Sequence, residues 1–319
     1  MKAIRARSFN ELMELLYADS WQPQLGRFRS RWAYRGMVDA ATNLKTTLWG
    51  LGGSFVRHEN HLIRNFRKYA RGNSVPGDSV WNWLSLAQHH GLPTRLLDWT
   101  YSPFVALHFA TQDIRTFDRD GVVWCIDYAS AHRLMPTALR NVLKAEAADV
   151  FTAEMLDRVA PTLTRLERMG GRQPFVLFLE PPSLDDRIVN QFALFSLMSS
   201  ATVPLDDWLK GHQKLAHPII IPKALKWEVR DKLDQANVTE RVLFPGLDGL
   251  CRWLKRYYSP RLDLKKAAAG EEQDQSRPTA FPQAAASSGH GGNGTSSSVS
   301  GGRAAGRRGK KLARRGAGR

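Results

Sequence analysis

Between Leu86 and Pro103 the chain crowds amide, imidazole, hydroxyl, guanidinium and carboxylate groups into a stretch that otherwise reads as buried core. Polar groups taken out of water cost a few kcal/mol each unless they are hydrogen-bonded. Such a run either braces its own backbone or lines a site. Its ends are punctuated. Gly91-Leu92-Pro93 stops a helix that starts at Asp78/Ser79 and runs to His90, with Val80, Leu84 and Ala87 inward. Ser102-Pro103 starts the next, with serine as the N-cap and proline at the first helical position.

The rest of residues 1–264 reads as one mixed α+β domain, a small central sheet flanked by helices. Ser8-Phe9-Asn10-Glu11 is a capping-box pattern followed by Leu12, Leu15 and Leu16 on one face. Arg31 to Gly36 alternates like a short strand, and Leu62, Ile63, Phe66 and Tyr69 recur at helical spacing. Val122 to Ile126, Phe175 to Leu179 and Ile219 to Ile221 are buried-strand patterns, and residues 138–169 are helical. Leu225, Val229 and Leu233 mark an amphipathic helix closed by Asn237, and Leu247, Leu250, Cys251 and Leu254 mark the last one. Helices of uneven length between short strands, with no regular βαβ period, favour α+β over a doubly wound sheet.

After Leu264 the composition changes abruptly. Residues 267–302 are mostly Ala, Gly, Ser, Gln and Pro, which bury too little surface to offset the entropy of ordering. Residues 265–319 are therefore expected to be a disordered linker ending in a basic arm, with eight Lys or Arg and no acid over 303–319. The net charge is +16, half of it from residue 265 onward. That arm suits non-specific binding of nucleic acid. No window approaches the ~20 apolar residues of a membrane span, so no membrane partner is expected. Two distant cysteines, Cys125 and Cys251, make neither a disulfide framework nor a zinc site, and a cytoplasmic setting is expected.

Tyr34-Arg35-Gly36 places an arginine where a strand ends, beside a glycine that lets a ligand or another chain approach. The alternative is a structural arginine paired with Asp98. His89 and His90 are adjacent, so on a helix they diverge by about 100° and chelate poorly. No metal site is expected. A histidine at a helix C-terminus is instead favoured in its protonated form by the dipole. Thr94, Arg95, Asp98 and Thr100 bond backbone or ligand alike, or form a strapped loop in which Asp98 accepts from Arg35 or Arg95. Trp81 and Trp83 read as core, and Asp248 as structural. No Walker A, GxGxxG or GxSxG pattern is present.

In this order the motifs resemble the FRG-domain family of bacterial and phage proteins, named for a triplet that is Tyr34-Arg35-Gly36 here. The resemblance runs through Ala87 to Thr100 and Ser102 to Ala110, resumes at Arg187 to Phe195, and ends at Leu243 to Leu250, about residues 20–256 in all. Two departures stand out: Phe192 follows Gln191 where the family has a small residue, and Gly246 stands where Asp is expected. A weaker analogy, on order and residue type, links the chain to ADP-ribosyltransferase-like folds. It implies a nucleotide-handling enzyme with NAD as substrate, of the kind found in toxins or phage defence. Arg35 would hold the pyrophosphate or ribose, His89 or His90 would orient the nicotinamide or the acceptor, Asp98 would stabilise charge at the ribose C1′, and Gln191 would position a nucleophile. Tyr34, Gly36, Thr94, Arg95, Thr100 and Ser102 would complete the nucleotide contacts. The alternative is a non-catalytic module that binds a ligand or nucleic acid.

Overall fold

The computed structural model describes residues 2–52, 54–70 and 77–261. The compact unit is Met1–Ser259; the expected linker and basic arm, 265–319, lie outside the described residues.

Nine strands are present among them: β1 (Ile4–Arg5), β2 (Trp21–Gln22), β3 (Arg27–Phe28), β4 (Trp32–Met37), β5 (Leu97–Thr100), β6 (Gly121–Asp127), β7 (Val176–Leu179), β8 (Ala193–Met198) and β9 (Ala216–Ile221). Strands β2 and β3 form a separate two-stranded ribbon. The other seven form one mixed sheet in the order β1-β9-β6-β4-β5-β8-β7, in which only β1 and β9 run parallel. With helices around it, the fold is α+β, a central sheet flanked by helices as expected.

The joint between β4 and β5 decides where a site can form. Strand β4 is in register with β6 from Trp32↔Asp127 to Met37↔Val122, and β5 with β8 from Leu97↔Ser196 to Thr100↔Ala193. Between β4 and β5 only Tyr34↔Thr100 are in register. Beyond that pair the two halves of the sheet part, and Arg35 on one strand and Asp98 on the other sit beside the parting.

Side-chain alternation explains how the sheet is buried. Along β7, Leu177 and Leu179 enter an apolar cluster with Trp81, Leu139, Phe151 and Leu156, while Val176 and Phe178 enter another with Trp99, Ile126 and Trp208. A third cluster joins Tyr34, Val123 and Ile219 to Leu12, Ala106 and Leu107. Each large apolar side chain so buried is worth about 1.5–3 kcal/mol. Trp81 is fully buried, and its indole N–H donates to the Ala160 carbonyl at 2.9 Å, so it is core. Gly36 faces the helix Pro103–Ala110: a Cβ there would lie 1.7 Å from the Ala106 oxygen. The chain that approaches this glycine is the protein's own.

The helix boundaries follow local chemistry. Ser8, Ser79 and Ser102 cap helices Phe9–Leu16, Val80–His89 and Pro103–Ala110 by accepting from the N–H three residues on. Glu11 reaches back to the N–H of Arg7 rather than of Ser8, at 2.7 Å. The region 138–169 divides into Thr137–Ala145, Ala153–Val159 and Leu163–Gly170. Asn237 follows helix Lys226–Gln235 with a φ of 59°, a left-handed turn that asparagine tolerates. None of the described helices is long and apolar enough to cross a membrane.

Candidate functional site

Helix Val80–His89 ends on two polar residues that reach in different directions. Gln88 donates from Nε2 to both carboxylate oxygens of Asp98, at 3.0 and 3.1 Å, and accepts at Oε1 from the Thr94 hydroxyl at 2.5 Å. That hydroxyl in turn accepts from the N–H of Leu96 at 3.1 Å. Asp98 alternates outward from the buried Leu97 and Trp99, and its side chain stays 59% exposed. From β4, Arg35 donates through Nη1 to the Asp98 carbonyl at 2.5 Å and lies 3.8 Å from its carboxylate. Arg35, Gln88, Thr94 and Asp98 thus form one network at the parting of the sheet. Its acid faces water, so the strapped-loop reading holds for Arg35 without closing Asp98 off.

His89 turns the other way. Its Nε2 lies 2.7 Å from Oδ2 of Asp185, whose Oδ1 caps the short helix Asp186–Asn190 by accepting from the N–H of Ile188 at 3.1 Å. Arg187 donates to the His89 carbonyl at 3.4 Å and lies over the Phe244 ring at 5.0 Å. Arg252 lies over the same ring at 4.7 Å. His89, Asp185, Asp186, Arg187, Phe244, Pro245, Asp248 and Arg252 line an open cleft of about 370 Å³. Neither Arg187 nor Arg252 makes an ion pair among the described residues. The Nε atoms of Arg35 and Arg187 are buried without a hydrogen-bond partner there.

Burial acts against the protonated His89 that the helix dipole would favour. Burial lowers its pKa, with Arg187 and His90 acting in the same sense, and the nearby Asp185 does not reverse the shift. The ring donates from Nε2 to Asp185.

Several expected ligand contacts are instead spoken for within the protein. The buried Tyr34 hydroxyl donates to the Leu16 carbonyl at 3.0 Å, and burial pushes its pKa up to about 12. Arg95 binds Glu59 in the interior, from Nε at 2.9 and 2.8 Å, and not Asp98. Thr100 donates to the Gln191 carbonyl at 2.8 Å and accepts from the N–H of Ser102 at 3.0 Å, while the Ser102 hydroxyl caps its helix. Gln191 donates through Nε2 to the Leu243 carbonyl at 2.9 Å, tying the Arg187–Phe195 stretch to the Leu243–Leu250 stretch. Asp248, expected to be structural, is exposed on the cleft. Among the described residues no three His, Cys, Asp or Glu side chains gather as a metal site requires.

The two departures from the family pattern have conformational content. Phe192 takes a φ of 48°, in the left-handed region that glycine occupies without strain. Gly246 takes a φ of 101° with extended ψ, a conformation open in practice only to glycine. Gln88, Asp185, Phe244 and Arg252 join the site without having been expected there from the sequence. All but Arg252 lie in or beside the four motifs. Arg252 carries no signal beyond its place one helical turn after Asp248.

A family model described as FRG domain matches residues 30–119. That span carries Arg35, Gln88, His89 and Asp98; the opposite wall of the cleft, Asp185–Arg187 and Phe244–Arg252, lies outside it. No curated protein and no solved structure matches the chain.

Proposed function

From a chain that carries an FRG domain, we propose that the cleft beside His89 binds a nucleoside diphosphate and that the protein transfers ADP-ribose from NAD. One observation carries the reading. Three stretches far apart in sequence, around His89, Arg187 and Phe244, meet at one open cleft, and the Arg35–Asp98 pair is bonded to Gln88, the residue before His89, on the other side of the same helix end.

The chemistry suits such a ligand. Arg187 and Arg252 offer forked donors for a pyrophosphate, and planar guanidinium groups bind phosphate oxygens in pairs. Asp186 and Asp248 offer acceptors for ribose hydroxyls. The volume of about 370 Å³ falls within the ~300–1,000 Å³ of small-molecule sites. In the transfer, the bond between C1′ and the nicotinamide nitrogen breaks, and its electron pair leaves with nicotinamide. An acceptor hydroxyl or amine forms the new bond to C1′ and gives its proton to Asp98. The Asp98 carboxylate, held by Gln88 and Arg35, also opposes the positive charge that builds at C1′.

The test has two readouts. ADP-ribose binding is followed by calorimetry, and nicotinamide release from NAD by chromatography. Arg187→Ala and Arg252→Ala each remove charge-assisted bonds worth about 1.5–3 kcal/mol, so affinity falls about 10- to 150-fold. Asp98→Asn keeps binding and loses release. Binding of ADP-ribose with no release by wild type would leave a ligand-binding module without catalysis. Absence of both would end the proposal.

A further inference from the structure

The ribbon β2–β3 stands apart from the sheet and carries side chains that the fold does not use. Trp21 and Phe28 are paired across it, with ring centroids 5.1 Å apart at 62°. They remain 50% and 60% exposed. Exposed tryptophan and phenylalanine on one face of a ribbon leave in water an apolar surface that burial would remove. The turn between them, Pro23 to Gly26, is closed by Leu25 N–H donating to the Gln22 carbonyl at 3.0 Å, and it presents an exposed Gln24.

The charge beside this platform is one-sided. From Ser20 to Val38 the chain contains four arginines and no carboxylate, and Asp19 is the nearest acid before it. Arg27, Arg29 and Arg31 are exposed, and none makes an ion pair among the described residues. Arg27 lies opposite Gln22, and Arg29 bonds its N–H to the Ser20 carbonyl, so both alternate to the face behind the rings. The ribbon is only two strands wide, about 5 Å between them, so its aromatic and basic faces lie back to back.

We infer that the β2–β3 ribbon binds single-stranded nucleic acid, with bases stacked on Trp21 and Phe28 and phosphates held by Arg27, Arg29 and Arg31. A single strand has this same two-sided chemistry: flat apolar bases along one side and a row of negative charge along the other. A lipid surface fits less well, because the tip that would enter it carries the Gln24 amide, which is costly to take out of water. The site is separate from the nucleotide cleft and stands or falls independently of it.

The experiment measures binding of the full chain to a fluorescent oligothymidylate of roughly twenty nucleotides, longer than the ~4–16 nucleotides one stacking site covers. Anisotropy is read across a salt series, with circular dichroism to confirm that the variants fold. Trp21→Ala with Phe28→Ala weakens binding about 30-fold or more, since two stacked bases are lost, and leaves the salt dependence unchanged. Arg27→Gln with Arg29→Gln and Arg31→Gln lowers the slope of log affinity against log salt by about 2, from ~0.7 per phosphate contact. The basic arm at 303–319 is present in every variant, so differences report the ribbon alone. Folded variants that bind as wild type overturn the inference. So does a Trp21→Ala, Phe28→Ala protein that keeps its oligonucleotide affinity but loses binding to phosphatidylserine vesicles.

Discussion

Removing Glu59 asks whether Arg95 holds a ligand or the fold. The two side chains are 2% and 6% exposed, and Arg95 bonds Glu59 from both Nε and Nη2 while Nη1 donates to the Ser199 carbonyl at 3.4 Å. Glu59→Ala leaves a guanidinium in the interior with its counter-charge gone. Breaking one side of a buried pair in this way costs about 3–5 kcal/mol. Replacing both, as Glu59→Leu with Arg95→Met, removes the unpaired charge and restores most of that loss, because a buried pair is worth little against apolar groups of like volume. Urea unfolding followed by tryptophan fluorescence measures both, with the slope checked for constancy so that the midpoints compare stabilities. On the proposed function, the double variant also binds ADP-ribose as wild type does, since Arg95 does not line the cleft. A Glu59→Ala loss under about 1 kcal/mol, or a stable double variant that no longer binds ADP-ribose, would refute the argument and return Arg95 to the site.

Other expectations follow from single contacts. His132 bonds the Asp149 carbonyl through Nδ1 at 2.8 Å and accepts at Nε2 from the N–H of Phe178 at 2.9 Å, and burial pushes its pKa down to about 4. In the unfolded chain it titrates near ~6.5, so its contribution is complete above that pH and declines, by about 3 kcal/mol, as pH falls to about 4. His132→Gln flattens the dependence of the urea midpoint on pH across that window; an unchanged slope would show that the ring is not buried neutral. Gly36→Ala forces a Cβ to within 1.7 Å of the Ala106 oxygen, against backbone that cannot swing aside. It is expected to cost more than ~4 kcal/mol or to abolish folding. Gly50→Ala, with nothing within 4 Å, serves as the tolerated control in the same thermal melts.

The sequence by itself determined the local elements: a serine accepting from the N–H three residues on, a proline at the first helical position and a two-residue apolar alternation are interactions between neighbours in the chain. The helix starts at Ser79 and Ser102 were legible for that reason, as was an end at His90, one residue past the observed His89, and so was the α+β class. The family pattern likewise drew attention to the four stretches, and even the departures at Phe192 and Gly246 mark real turns of positive φ. Which polar group meets which was decided only by the tertiary structure. Arg35 and Arg95 are both arginines beside apolar residues, yet one sits where β4 and β5 part and keeps an exposed Asp98 as neighbour, while the other is sealed against Glu59. Gln88 and His89 are adjacent and reach opposite ways because helical neighbours diverge by about 100°. The cleft itself needs Arg187 and Arg252, brought to one phenylalanine ring from different helices. Charge and polarity are properties of a residue; burial and partnership are properties of the fold, and they separate a brace from a site.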